Sequence, residues 1–284
     1  MFKKCFGLVF VITFAMTATS HAALSDGLEN YWNFDNNLND SAGSIADNGV
    51  FDGTNGTSGI GFGAGLFGGG GLEQDGASGG QENNGFVRVT RSAETLHGGR
   101  DVSISMWVQT AGFDTSWQTM IAHGEGSQYR IARRSGDSVA AYAGGSGDIP
   151  GGAIGPDISA GTGWHHIVAI SEHGVSTRIW VDGGLVATGG APNINDNGNN
   201  NPANPDLFIG ANPQTGNNNR EWWGEIDDVG MWDRALTQDE VVSIFRNQGP
   251  LGDLVGRDPI PEPATGLMAL AGLAAFTMRR RRHA

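Results

Sequence analysis

The sequence predicts an all-β sandwich with one short helix near its C-terminal end, and three observations carry that reading. Glycine supplies 47 of 284 residues, while aromatic side chains, 8 Trp among them, still make up 8% of the chain. That combination pairs many tight turns with enough apolar mass for a core. Several segments alternate apolar and polar residues with the period of two expected of a strand that buries one face. A single segment has helical spacing together with its own caps. At this length one large sandwich is admissible, and no internal repeat points to a tandem array.

In chain order, strands are expected at Glu29 to Phe34 and Phe86 to Thr90, then in "DVSISMWVQT", which places Val102, Ile104, Met106 and Val108 on one face and Ser103, Ser105 and Trp107 on the other. Tyr129 to Arg133 is a further strand. "WHHIVAISEHGVSTRIWVDGGLVAT" reads as Trp164 to Ser171, a turn at His173-Gly174, Val175 to Val181 and a tight turn at Asp182-Gly183. An Asp-Gly pair tolerates the positive φ that hairpin turns require. Leu207 to Gly210 and "EWWGEIDDVGMW" complete the strands. In "LTQDEVVSIFRNQG" Thr237 and Glu240 form a capping box, Gly249 closes the far end, and Val241, Ile244 and Phe245 face inward. Two stretches, "GIGFGAGLFGGGGLEQDGASGGQENNG" and "APNINDNGNNNPANPDLF", read as long turn-rich loops.

The formal net charge is -13. Both lysines and Arg279, Arg280, Arg281 and Arg282 lie in the end segments; without these six, only arginines oppose the 30 acidic residues and the body carries about -19. Nucleic acid is therefore not an expected partner, since phosphate binding needs a basic surface. Cations and neutral polymers fit better. The only cysteine, Cys5, lies in the N-terminal segment, so the body has neither a disulfide nor a thiol nucleophile.

Residues 1–22 have two lysines, a short apolar run and Ser20 and Ala22 at cleavage-site spacing, the pattern of a signal peptide removed by signal peptidase. Residues 249–259 read as a linker. Residues 260–284 carry Pro261, Glu262 and Pro263, an apolar run too short for an ordinary span, and the arginine cluster. This ordered trio resembles the PEP-CTERM sorting signal of Gram-negative bacteria. The resemblance implies transient inner-membrane anchoring by a hydrophobic sorting helix and recognition by an exosortase-type protease. Delivery to the cell envelope or extracellular matrix would follow once both end segments are lost.

The body, residues 24–248, resembles the laminin G-like, or concanavalin A-like, jelly-roll family. "YWNFDNNLNDSAG", "SISMWV", "GWHHIVA" followed by "RIWVDGGLV", "LFIG" and "GEIDDVGMWDRALTQDEV" occur in that family's order. The scaffold hosts lectins, hydrolases, adhesins and structural modules, so the fold does not settle the function.

Acidic strand ends and Asn-rich loops offer the oxygen ligands that calcium prefers. Likeness to the family's glucanases implies a structural calcium at Asp227, with Asp35 and Asp228 as weaker additions. His165 and His166, adjacent in a strand, point to opposite faces and cannot readily share an ion. Retaining glucanases on this scaffold use Glu-x-Asp-x-x-Glu; the nearest match, Glu225-Ile226-Asp227-Asp228-Val229-Gly230, ends in glycine and lacks the acid. No Gly-x-Ser-x-Gly elbow occurs, and the glycines at 68–71 lack the Lys-Ser/Thr of a phosphate loop.

Sugar rings stack on Trp and Tyr, which makes Trp117, Tyr129, Tyr142, Trp222 and Trp223 the binding candidates; Trp222 and Trp223 project oppositely if both lie in regular strand. The expectation is a non-catalytic, exported glycan-binding or adhesive module with a polysaccharide or glycoprotein ligand. The alternatives are a glycoside hydrolase with another carboxylate pair and a passive structural matrix protein.

Overall fold

Alternation along Val102–Thr110 is realised as predicted: Val102, Ile104, Met106 and Val108 are buried in the main core, with Ser103, Ser105 and Trp107 on the opposite side of the strand. The computed structural model describes residues 23–53, 56–75, 85–124, 128–195, 206–212 and 220–255, and Leu24–Arg257 forms one unit. The expected signal peptide and the Pro-Glu-Pro tail with its arginines lie outside the described residues.

In chain order the strands are β1 (Leu28–Trp32), β2 (Gly49–Asp52), β3 (Ile60–Gly63), β4 (Gly71–Asp75), β5 (Phe86–Val89), β6 (Val102–Thr110), β7 (Thr119–His123) and β8 (Tyr129–Arg133). They continue with β9 (Ala140–Gly144), β10 (Asp148–Ile149), β11 (Trp164–Glu172), β12 (Ser176–Val181), β13 (Gly184–Thr188), β14 (Leu207–Ile209) and β15 (Trp223–Trp232), followed by α1 (Gln238–Asn247). An eight-stranded sheet runs β13-β12-β11-β6-β15-β4-β3, with β1 also paired to β15; a seven-stranded sheet runs β10-β9-β8-β7-β14-β5-β2. Every pairing described is antiparallel. This is the jelly-roll sandwich expected from the sequence.

The main core draws Trp32, Leu72, Ile104, Met106, Ile167 and Ile226 from the larger sheet and Val87, Ile121, Ile131, Tyr142 and Ile209 from the smaller. A second apolar cluster joins Tyr31, Val168, Ile170, Trp180 and Trp232 to Val241 and Ile244 of α1. The helix therefore seals the outer face of the eight-stranded sheet. Thr237 and Glu240 make the predicted capping box.

Two expectations need correction. The first glycine-rich stretch is not simply a loop: it contains β3 and β4, and β4 lies inside the sheet against β15. β3 is half glycine and β4 carries a single apolar side chain, Leu72, too little for an alternation to be read, so their pairing partners place them instead. The helix also ends on Gln248 rather than Gly249; Gln248 adopts the left-handed conformation, φ 53°.

β15 changes neighbour along its length. Trp223–Ile226 pair with β4 and Val229–Trp232 with β1, and a register shift against β6 falls between Asp227 and Gly230. Asp228 takes φ 55° there; among non-glycine residues, Asp tolerates this conformation comparatively well.

Candidate glycan-binding site

The outer face of the seven-stranded sheet is read directly from the register. One cross-strand row holds Asp148, Ala143, Arg130, Ala122, Phe208, Arg88 and Val50, while the alternate row, with Tyr142, Ile131, Ile121, Ile209 and Val87, turns into the core. The alanines on either side of Arg130 leave its long side chain room to lie along the sheet. Arg130 is only 4% exposed. Its Nη2 donates to Asp148 Oδ1 at 2.8 Å, and its Cζ lies 4.8 Å from the centre of the Trp117 ring.

Trp117 belongs to the connection between β6 and β7. It is half-buried and has φ 63°, an unusual backbone for so large a residue. Its N–H donates to Ser135 O at 3.0 Å, and its carbonyl accepts from Thr119 Oγ1 at 2.9 Å. The neighbouring Phe113 is covered by Arg133, whose Cζ lies 4.2 Å from the ring centre and whose Nη1 donates to Thr115 O at 2.8 Å. Two arginines of β8 thus brace the aromatics of this connection, each by a cation–π contact. Trp223, also half-buried, lays its ring over Gly112 of the same connection, where a Cβ would collide with it. Its carbonyl accepts from Ala111 N at 2.9 Å.

Of the five aromatic candidates, then, Trp117 and Trp223 border one connection and retain exposure. The other three are corrected. Tyr129, Tyr142 and Trp222 have no accessible surface and so cannot stack on a ligand. Tyr129 and Tyr142 lie on the inward rows of β8 and β9, with their hydroxyls at Thr95 O (2.7 Å) and Ser171 Oγ (2.7 Å). Trp222 precedes β15 and donates its indole N–H to Gln109 O at 3.3 Å.

The carboxylates of β15 are engaged by backbone. Glu225 Oε2 accepts from Gly65 N at 2.9 Å and Asp227 Oδ2 from Leu66 N at 2.8 Å, so alternate residues of the strand clamp the turn between β3 and β4. Burial pushes the Asp227 carboxyl up to about 7. Asp228 Oδ1 accepts from Tyr31 Oη at 2.5 Å, and its Oδ2 from Leu251 N at 2.8 Å; burial raises it to about 6. Asp35 Oδ2 accepts from Asn33 Nδ2 at 2.8 Å. Each of the three expected calcium residues thus has its own protein partners.

His165 Nδ1 lies 2.9 Å from Asp182 Oδ2, whereas His166 Nε2 lies 2.8 Å from Ser105 Oγ and its ring packs 4.9 Å from that of Trp107. Their partners are separate. Burial drives His166 down to about 3, keeping it neutral.

Sequence reasoning did not single out Arg130 and Asp148. The available signal was that every basic residue of the body is arginine, the side chain that stacks on rings and pairs in a planar fork. It also missed a cleft of about 350 Å³ lined by Leu28, Tyr31, Ser41, Ala42, Gly43 and Gly252, among others.

Comparison with known proteins agrees with this architecture. Residues 79–242, more than half of the chain, match the family described as the concanavalin A-like lectin/glucanases superfamily, and residues 259–282 match the PEP-CTERM protein-sorting motif. No curated protein matches the sequence. Among solved structures, the chain is similar to domain 4 of AbnA, a GH43 extracellular arabinanase from Geobacillus stearothermophilus, in complex with arabinotriose. The TM-score is 0.58 at 20% identity, covering 77% of this chain and 98% of that one. It is also similar to the binding domain of Paraclostridial Mosquitocidal Protein 1, with TM-score 0.57, 15% identity and 79% of this chain covered. For the binding domain of Botulinum Neurotoxin DC in complex with SialylT, the values are 0.52, 14% and 79%. The match spans 53% and 52% of those two chains. At these identities the likeness is one of fold.

Proposed function

Because the chain belongs to the concanavalin A-like lectin/glucanases superfamily and carries a sorting motif that marks an exported protein directed to the cell envelope, we propose that it is a non-catalytic glycan-binding or adhesive module of the envelope or its polysaccharide matrix. The observation that carries this reading is the Trp117 platform. A bulky residue held at φ 63° is a strained feature of the kind that collects at binding sites. Its ring is fixed from one side by a buried arginine, so stacking a sugar on it would require little further ordering. Trp223 extends the aromatic edge along the same connection.

In this reading the exosortase-type protease is the partner of the C-terminal motif, and a polysaccharide or glycoprotein is the ligand of the sandwich. The clamped state of Glu225 and Asp227, with Gly230 where an acid would stand, supports the absence of glucanase chemistry. A structural calcium at Asp227, with Asp35 and Asp228 nearby, belongs to the same proposal. A rise in melting temperature with calcium that disappears in Asp227→Ala would support that part, and identical melts with and without EDTA would count against it.

The binding proposal is tested by retention of the purified protein on a panel of polysaccharides that includes the producer's own matrix. Saturable retention reduced about tenfold or more in Trp117→Ala, in line with the 1–3 kcal/mol seen for stacked aromatic contacts elsewhere, is the expected result. No retention on any polysaccharide would favour the passive structural role. Release of reducing sugar from any of them would favour the hydrolase.

A further inference from the structure

Three carboxylates converge beside β1, away from the aromatic connection. One oxygen from each of Asp40, Asp47 and Glu94 lies within 4.8 Å of the others; Asp47 and Glu94 are buried and Asp40 is half-buried. Their hydrogen-bond donors are all neutral. Tyr31 N and Ala42 N reach Asp40 Oδ1 at 2.8 and 3.1 Å, Ser92 Oγ donates to Asp47 Oδ2, and Ser44 N and Oγ reach Glu94 Oε1 at 2.7 and 2.6 Å. Three negative charges at this spacing repel one another strongly where water is partly excluded. The chain nevertheless folds to hold them together. Gly43, at φ 68°, lets the loop close over them, since a Cβ there would strike the Glu29 carbonyl and the Glu94 carboxylate.

Asn30 supplies a second, independent observation. Its side chain is completely buried and reaches into the cluster, with Nδ2 at 2.8 Å from Asp40 Oδ2 and 3.1 Å from Asp47 Oδ2, while its Oδ1 has no hydrogen-bond partner. A buried acceptor without a donor is uncommon in a native fold. A half-turn of the carboxamide exchanges the two atoms and turns Oδ1 toward the same carboxylate oxygens. That orientation is tolerable only with a cation between them.

We propose that Asp40, Asp47, Glu94 and Asn30 Oδ1 form a calcium site that ties β1 and the connection following it to the connection between β5 and β6. Calcium takes oxygen ligands at about 2.3–2.6 Å, so ligands on opposite sides of the ion stand roughly 4.6–5.2 Å apart. The observed spacing falls within one such sphere. All the available donors are oxygens, with the hydroxyls of Ser44 and Ser92 close by; zinc prefers the nitrogen and sulfur ligands that are missing from this set. The site shares no residue with the calcium expected at Asp227.

The experiment uses the full chain, stripped with EDTA and titrated with Ca²⁺ by calorimetry and with Tb³⁺ by tryptophan-sensitised luminescence. Trp32 is a suitable antenna, because its indole N–H donates to Asp47 O at 3.0 Å. One ion per chain at this site is expected. Glu94→Gln and Asp40→Asn, which keep shape but remove charge, should each weaken binding by roughly 100-fold, because ligand charge sets calcium affinity. Asp227→Ala should leave this binding event in place, and Asn30→Asp should tighten it, a gain that misfolding cannot mimic. The proposal is overturned if the wild type binds neither ion or if only Asp227→Ala abolishes binding. It is equally overturned if Glu94→Gln and Asp40→Asn, folded by circular dichroism, bind as the wild type does.

Discussion

On the outer face of the eight-stranded sheet, Val168, Ile170 and Trp180 share an apolar cluster with Val241 and Ile244 of α1. The corresponding face of the seven-stranded sheet carries Asp148, Ala143, Arg130, Ala122, Phe208, Arg88 and Val50 in one row. The first face is closed by the chain's own helix and behaves as a second core. The second mixes small residues with charges that find partners beside them: Arg130 with Asp148, and Arg88 with Asp52 and Asp206. The centre of that row is buried too, with Arg130 4% exposed, but its charge is met by a carboxylate rather than by apolar packing. The difference separates a face closed by apolar packing from one held together by ion pairs.

The sharpest way to break this contrast is to truncate one residue on each face. Ile244→Ala removes buried apolar volume between α1 and the sheet and should cost about 2–5 kcal/mol. Val50→Ala, at a side chain 48% exposed, should change stability by no more than about 0.5 kcal/mol. Urea denaturation of both variants reads the two values. Equal losses would show that the helix is not the seal described here.

A smaller effect comes from pH. His166 lies on the sealed face, stacked near Trp107 and Phe245, and burial lowers its pKa from the ordinary 6.5 to about 3. Below pH 6.5 the unfolded chain takes up a proton that the folded chain refuses. This site's contribution is therefore complete above pH 6.5, declines as the pH falls and levels off near 3. At pH 5 the loss is on the order of 2 kcal/mol. His166→Gln should remove that part of the pH dependence, so wild type and variant should converge in stability from pH 7 to pH 5. Parallel curves would mean that the imidazole is solvated in the folded state.

Legibility of the sequence followed the same division. β6 and β11 were readable because each buries regular alternation, and the helix because Thr237 and Glu240 announce its start. β3 and β4 were not: β3 is half glycine and β4 carries a single apolar side chain, Leu72, so their places are set by the ladder in which β3 pairs with β4 and β4 with β15. β7 and β9 were missed as well. In Ala140–Gly144 the residues turned away from the core are alanines, so both faces read as apolar. For the site, residue type was informative but direction was not. Tyr129 and Arg130 are neighbours, and only the cross-strand register shows that the tyrosine enters the core while the arginine faces out. The Asp40, Asp47 and Glu94 group was invisible for a related reason: Glu94 reaches the two aspartates from a different connection of the chain, with Gly43 folded over it, an approach no spacing rule encodes.

The smallest expected effect concerns the end of the sealing helix, where sequence and structure disagreed. Gln248 occupies the left-handed C-cap at φ 53° while Gly249 follows it. A residue with a Cβ pays a steric penalty there that glycine avoids. Gln248 recovers part of it by donating Nε2 to Phe245 O at 3.0 Å. Gln248→Gly removes both the penalty and this exposed hydrogen bond, and glycine adds freedom to the unfolded chain. The steric gain should prevail by up to about 1 kcal/mol, so the melting temperature should rise slightly. A fall would show that the Gln248 bond to Phe245 outweighs the backbone strain, and that the helix is held at its end by a side chain rather than by its turn.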